Sequence, residues 1–409
     1  MNLVERDARV LWHPYTQAAA SPEPLPILAA EGAYLRTEDG RTILDGVSSW
    51  WVSVHGHGHP RLADALARQA RTLDHVLFAG ATHGPAVELA ERLCALTGLD
   101  RVFYSDNGST AVEVALKMAF QYWRNRGERR TRFLALDHAY HGDTVGAMSV
   151  SGIPLFRDTF ENLLFTVERY RGEISDDVAA VLVEPILQGA GGMRVHPPAF
   201  LAEVAARCRA AGTLLVADEV LTGFGRTGRM FACEHADVRP DIACLAKGLT
   251  GMLPFAATLA TEEIYAAFLG DRSRTFFHGH SFTGNPLGCA VAIESLRIFE
   301  EEPVLARARE IGRRLQAGLD PLRGIAAVRG VGAVWAVEVP AEGGYLAAVG
   351  PRMAEAALER AVLLRPLGNV LYAMPPFCLT DGEADRLARV MVDVVREVAG
   401  GTGGAPARM

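Results

Sequence analysis

The chain reads as an α/β protein with a large domain, built on a mostly parallel sheet flanked by helices, followed by a smaller α+β domain. Three observations predict this. From about residue 85 onward, apolar strand-sized runs alternate with helical stretches, the pattern of a parallel sheet covered by helices. A long helical pattern near 290–320 then separates that alternation from a shorter mixed region, as a link between domains would. With 409 residues, 49% of them hydrophobic and 22% charged, the chain can bury two or three domain cores.

The elements follow in order. Residues 1–45 carry few regular signals and are expected to pack with the small domain. Within them, Gly32–Asp45 predicts two short strands around the turn Asp39-Gly40. The large domain is expected over 46–295. Pro85–Thr97 has the spacing of an amphipathic helix, Arg101–Ser105 that of a strand, and Ser109–Arg126 that of a helix. Phe133–Leu136, Val178–Val183, Thr213–Ala217 and Ile242–Ala246 are apolar strand-sized runs, and Pro198–Ala211 is helical. A single helical pattern runs from Leu287 to Leu319. The small domain, 296–400, mixes a strand over Gly332–Val339 with helices over Arg352–Ala361 and Asp385–Ala399. Residues 401–409, rich in glycine, are expected to be a disordered tail.

Composition excludes several functions. The net charge is −7 with no basic stripe, which argues against nucleic acid as a partner. No run reaches the length of a membrane span, and the N-terminus lacks an apolar signal core. The six cysteines are scattered without a C-x-x-C pair, so reduced thiols in a cytoplasmic protein are expected and a metal site is not.

Only two lysines, Lys117 and Lys247, stand against 39 arginines. An amine can lose its proton and attack a carbonyl, which a guanidinium cannot do. Lys247 ends an apolar run, Asp241-Ile-Ala-Cys-Leu-Ala, so a buried strand would deliver its amine. Lys117 falls inside a helical run and reads as an ordinary helix position. In open parallel sheets ligands gather at the carboxyl ends of strands. Asp218 ends one such run and needs a partner there, because an unpaired buried carboxylate is costly. A helix cap or salt bridge is the alternative. Together, Asp218 and Lys247 are the pair that pyridoxal phosphate chemistry requires: an amine for the aldehyde, and a carboxylate for the protonated ring. Ser105-Asp-Asn-Gly108-Ser109-Thr110 opens a helix whose free N–H groups would suit a phosphate, with Thr110 and Glu113 fitting a capping box. Glu184 follows the run 178–183. Tyr140 follows 133–136, placed either to stack on a flat ring or to fill a loop.

The run Val216-Ala-Asp218-Glu219 through Gly-Phe-Gly-Arg226-Thr-Gly228, followed by Pro240-Asp-Ile-Ala-Cys-Leu-Ala-Lys247-Gly248, resembles the signature of the class III aminotransferases. Ser105-Asp-Asn-Gly-Ser109, Tyr140-His-Gly142 and Ser281-Phe-Thr-Gly-Asn-Pro286 match further blocks of that family, and the likeness covers nearly the whole chain. It implies a fold type I pyridoxal-phosphate enzyme working as a homodimer. Lys247 and Asp218 would be catalytic. Gly108, Ser109, Tyr140, Glu184 and Ser281 would join them around the cofactor, with Ser281 reaching the phosphate of the neighbouring subunit. Arg226 would be either structural or on the donor side.

Trp12-His-Pro-Tyr15, Ser48-Ser-Trp50-Trp51, His55-Gly-His-Gly-His59 and Gly189-Ala-Gly-Gly-Met193 resemble the branch of that family that aminates 8-amino-7-oxononanoate in biotin biosynthesis. S-adenosylmethionine is the donor that this branch implies. Lysine as donor, or the activity of another class III ω-aminotransferase, is the alternative. The histidine-glycine run reads as a turn rather than a metal site. Trp50 and Trp51, read as strand neighbours, would face opposite ways. Val362–Met374 reads as a hairpin with a Gly368-Asn369 turn, pairing Leu367 with Val370 and Arg365 with Tyr372. The resemblance gives Arg365 and Tyr372 the substrate carboxylate, sets its chain along Tyr15, Trp50, Trp51 and Tyr140, and adds Tyr15 to the catalytic residues.

Overall fold

The computed structural model describes residues 1–400. The tail expected to be disordered, 401–409, lies outside the described residues. A seven-stranded sheet forms the centre, in the order Arg101–Ser105, Ala256–Ala260, Ile242–Leu245, Leu214–Asp218, Val178–Val183, Arg132–Ala135, Glu168–Arg169. All its pairings are parallel except the two made by Ala256–Ala260, which runs antiparallel to both neighbours. The sequence does not signal that strand, because Ala-Ala-Thr-Leu-Ala carries little β-branched or aromatic character.

Successive side chains of a strand point to opposite faces, and here they serve two cores. Leu214 and Val216 join Val112, Ala115 and Ala119 of the helix Gly108–Asn125 on one face. Leu215 and Ala217 join Leu201, Val204 and Cys208 of the helix Pro198–Ala211 on the other. Burial on both faces is why these strands read as continuous apolar runs.

Besides the short pair Leu187–Gln188 and Arg194–Val195, two smaller sheets are formed among the described residues. Ile27–Glu31, Tyr34–Thr37 and Thr42–Asp45 pair antiparallel, and the last of them pairs in parallel with Val362–Leu363. The chain's N-terminal strands and its C-terminal region thus share one sheet. Ala327–Val331, Val334–Glu338 and Val370–Ala373 form the other.

Three expectations are corrected here. The helical pattern 287–319 is two helices, Pro286–Glu301 and Val304–Leu319, because Pro303 lacks the N–H a continuous helix would need. The strand over 332–339 is Val334–Glu338, hairpinned onto Ala327–Val331 through Gly332 at φ +54°. The hairpin over 362–374 exists only at its tip. Leu367 and Val370 exchange backbone hydrogen bonds of 2.9 and 3.1 Å, but the flanking segments belong to different sheets, so Arg365 and Tyr372 are not a cross-strand pair. Among the described residues no helix is long and apolar enough to cross a membrane.

Candidate active site

Five segments end at the carboxyl edge of the parallel strands and close around one cavity of about 460 Å³. Asp218 is the last residue of its strand, Glu184 follows Val183 directly, and Lys247 follows Leu245 by two residues. Lys247 takes φ +47°, a left-handed conformation that costs a non-glycine residue about 1–2 kcal/mol. Its side chain is partly buried, facing the cavity. Burial pulls its pKa below the ordinary lysine value, while the carboxylates of Asp218 and Glu184 push it back up. Its Nζ lies 5.2 Å from the centre of the Trp51 ring.

Asp218 does not stand alone. Its Oδ2 lies 2.7 Å from Nδ1 of His141, whose side chain is wholly buried, and its Oδ1 accepts the N–H of Val220 at 3.1 Å. His141 Nε2 is buried with no protein partner. Sequence reasoning gave His141 no role. Its position beside Tyr140, after a strand end, is the signal that could have found it. Glu184 ties two loops together, accepting Tyr140 N–H and Gly189 N–H at 2.9 Å each. Burial pushes its carboxyl up to about 7; His141 opposes this and the charge of Asp218 adds to it.

The phosphate-sized end is the N-terminus of the helix Gly108–Asn125. The capping box there is Asn107 with Thr110, three residues earlier than expected. Glu113 instead turns outward from the helix, and its Oε1 accepts from Thr144 Oγ1, Gly146 N and Ala147 N. The N–H groups of Gly108 and Ser109 have no acceptor among the described residues, which suits an anion. The cradle is tight: a Cβ on Gly142 would stand 2.0 Å from Ser109 Oγ, and one on Gly108 2.6 Å from Val220. Free N–H groups, the unpartnered His141 Nε2, an amine lining the cavity and a facing carboxylate all fit pyridoxal phosphate. Ser281 is exposed on the loop before the helix Pro286–Glu301 and does not line this cavity.

A second cavity of about 320 Å³ shares Trp51, Tyr140 and Lys247 with the first and extends to Arg365. The Arg365 guanidinium lies 4.2 Å from the Trp50 ring centre and 5.9 Å from that of Tyr15. Tyr15 and Tyr140 both donate to Asp143 Oδ2, at 2.6 and 2.9 Å. Phe156 and Tyr345 close the apolar wall, and neither carried a sequence signal.

Two site expectations change. Trp50 and Trp51 are not on a strand. Ser48, Ser49, Trp50 and Trp51 take φ of +50°, +45°, +76° and +75°, a left-handed turn closed by Trp51 N–H to Val47 O at 2.8 Å. Trp51 is buried and Trp50 half-exposed. Tyr372 is wholly buried and lines neither cavity; its hydroxyl accepts the indole N–H of Trp51 at 2.9 Å, from behind. Arg226 is buried as well. It donates to Pro375 O at 2.8 Å and to Trp51 O at 3.2 Å, and burial lowers its pKa to about 9. Lys117 sits on the exposed face of its helix, 2.9 Å from His278 Nδ1.

The Aminotransferase class-III family matches residues 15–168 and 154–395 of the chain. An adenosylmethionine-8-amino-7-oxononanoate aminotransferase from Synechococcus elongatus is 48% identical, with 95% of this chain and 99% of that protein covered. One of the same name from Geobacter sulfurreducens is 42% identical, with 97% of each covered. Among solved structures, the enzyme of that name from Methanocaldococcus jannaschii superposes with a TM-score of 0.92 at 37% identity, over 97% of this chain and 98% of that one. An amine transaminase from an uncultivated Pseudomonas species, in its PLP-bound form, gives 0.89 at 33% identity, over 95% and 98%.

Proposed function

The chain belongs to the class-III aminotransferases, and from that premise we propose that it moves an amino group from S-adenosylmethionine to 8-amino-7-oxononanoate, giving the diamine of biotin biosynthesis. The observation that carries the acceptor is the second cavity. It joins the Lys247 amine to the Arg365 guanidinium along an aromatic wall, a corridor shaped for an elongated keto acid with a terminal carboxylate.

Pyridoxal phosphate, when bound, supplies a carbonyl that takes up the amino group and a ring that takes up the electron pair. The free N–H groups of Gly108 and Ser109 would hold its phosphate, and Asp218, fixed by His141, would hold the protonated ring. Lys247 Nζ, favoured as the neutral amine by burial, takes the proton from the donor's amine-bearing carbon. In the second half it returns a proton to the acceptor's former carbonyl carbon. Arg365 holds the acceptor carboxylate, with Trp50 and Tyr15 beneath the guanidinium and Trp51 and Tyr140 along the chain. One site serving two dissimilar substrates in turn gives ping-pong kinetics.

A homodimer is part of this proposal, and it gives the exposed Ser281 a partner's phosphate to reach. So is a cytoplasmic location, supported by six unpaired thiols. The test incubates holoenzyme and 8-amino-7-oxononanoate with S-adenosylmethionine in one tube and lysine in another. Diamine in the first tube is expected. Diamine only in the second would replace the donor, and none in either, with the cofactor absorbance still bleached by some other amine, would point to a general ω-aminotransferase.

A further inference from the structure

We infer that Asp45 and His57 are positioning residues that set the acceptor side of the site, an inference that rests on the keto-acid reading above. Neither residue lines a cavity holding Lys247. Asp45 is wholly buried. Its Oδ1 accepts Val47 N–H at 3.0 Å. Its Oδ2 accepts Ser49 N–H at 2.7 Å and Ser49 Oγ–H at 3.2 Å, and lies 2.8 Å from His57 Nε2. Three of these four partners belong to the entry of the left-handed turn that carries Trp50.

Four consecutive non-glycine residues with positive φ persist only where their surroundings over-determine them. A buried carboxylate needs donors, and this turn supplies them; the turn in turn needs an anchor, and the carboxylate is one. His57 completes the anchor. Its backbone exchanges hydrogen bonds with Gly32 at 2.7 and 2.9 Å, so the imidazole is fixed to the N-terminal strands. The backbone of Asp45 pairs with Leu363, two residues before Arg365. Asp45 therefore reaches Trp50 through its carboxylate and Arg365 through its strand, and those two side chains stack at 4.2 Å.

The far end of the turn has bonds of its own, from Trp51 to Tyr372 and Arg226, and Asp45 reaches those two residues through its charge rather than through a hydrogen bond. Disturbing the pair should therefore displace Trp50 and the Arg365 clamp more than the wall beside Lys247.

The test uses full-length holoenzyme with D45N, H57A and H57Q. In the acceptor half-reaction, the half-saturating concentration of 8-amino-7-oxononanoate is expected to rise about tenfold in D45N and H57A, the loss expected from one hydrogen bond to a charged group. H57Q, which keeps a donor, is expected to recover part of it. Bleaching of the cofactor absorbance by S-adenosylmethionine should stay within about twofold of wild type. The near-ultraviolet indole dichroism should change while the far-ultraviolet spectrum does not. Equal falls in both half-reactions, or wild-type acceptor saturation in D45N and H57A, would overturn the inference. Should D45N fail to fold, H57A and H57Q carry the same comparison. Should the wild-type enzyme make no diamine, the keto-acid reading falls separately. Nonanoate then serves as the probe: its dissociation constant, measured by calorimetry, is expected to rise about tenfold in the variants, and an unchanged constant overturns the inference.

Discussion

The two cavities that meet at Lys247 are built by different means. The cofactor side rests on regular elements: strand ends at Glu184, Asp218 and Lys247, and the start of an 18-residue helix at Gly108. The acceptor side is assembled from a left-handed turn, a loop tyrosine and an arginine just past a two-residue strand. On the proposed function, the sheet edge would serve any substrate that carries an amino group, and the irregular wall could be rebuilt without touching the sheet, so selectivity and chemistry would reside in separable parts of one chain.

The strongest test of that separation removes the group both sides share. Lys247→Ala is expected to lower turnover at least about 10³-fold, with both half-reactions failing in single-turnover absorbance traces. A variant that kept one half would break the comparison. Arg365→Ala should act on one side only, raising the KM for 8-amino-7-oxononanoate by about 10–100-fold while the donor half-reaction holds. A matching loss toward the donor would show that the two walls are one. Tyr372→Phe sharpens the contrast through stability. It leaves the buried Trp51 indole N–H without its acceptor, and chemical denaturation is expected to report a loss of about 1–3 kcal/mol.

A further stability effect, comparable at most with that of Tyr372→Phe, concerns pH. Glu184 titrates near 7 in the fold against an ordinary value of 4.5, so between those values the folded state binds more protons than the unfolded one. Its contribution is therefore favourable at low pH and is lost as pH rises toward 7, by at most about 3 kcal/mol. Cofactor-free Glu184→Gln should show a flatter decline in melting temperature from pH 5 to 8 than wild type. An identical slope would remove Glu184 from the account.

The same division explains what could be read from the chain. Lys247 and Asp218 were legible because apolar runs end on them, and strand ends are where a parallel sheet collects ligands. The helix Pro198–Ala211 was legible to the residue, since Pro starts it and Gly212, at φ +60°, stops it. The turn at 48–51 was not, because four left-handed non-glycine residues contradict local preference and only tertiary anchors such as Asp45 hold them. The hairpin tip at 367–370 followed its turn rule. The strands beyond it went elsewhere because distant partners, Leu44 and Asp45 on one side and Trp335–Glu338 on the other, outcompeted each other's neighbours. His141 was invisible as a partner of Asp218 because 77 residues separate them.

The pairing of Thr42–Asp45 with Val362–Leu363 also orders events in time. During synthesis the first strands leave the ribosome long before their partner exists. At about 5–20 residues per second, they wait tens of seconds with an unpaired edge. The acceptor wall, which depends on that edge, can therefore close only after nearly the whole polypeptide has been made. Nascent chains arrested before residue 360 should already protect the central strands from protease while leaving the first fifty residues open to cleavage.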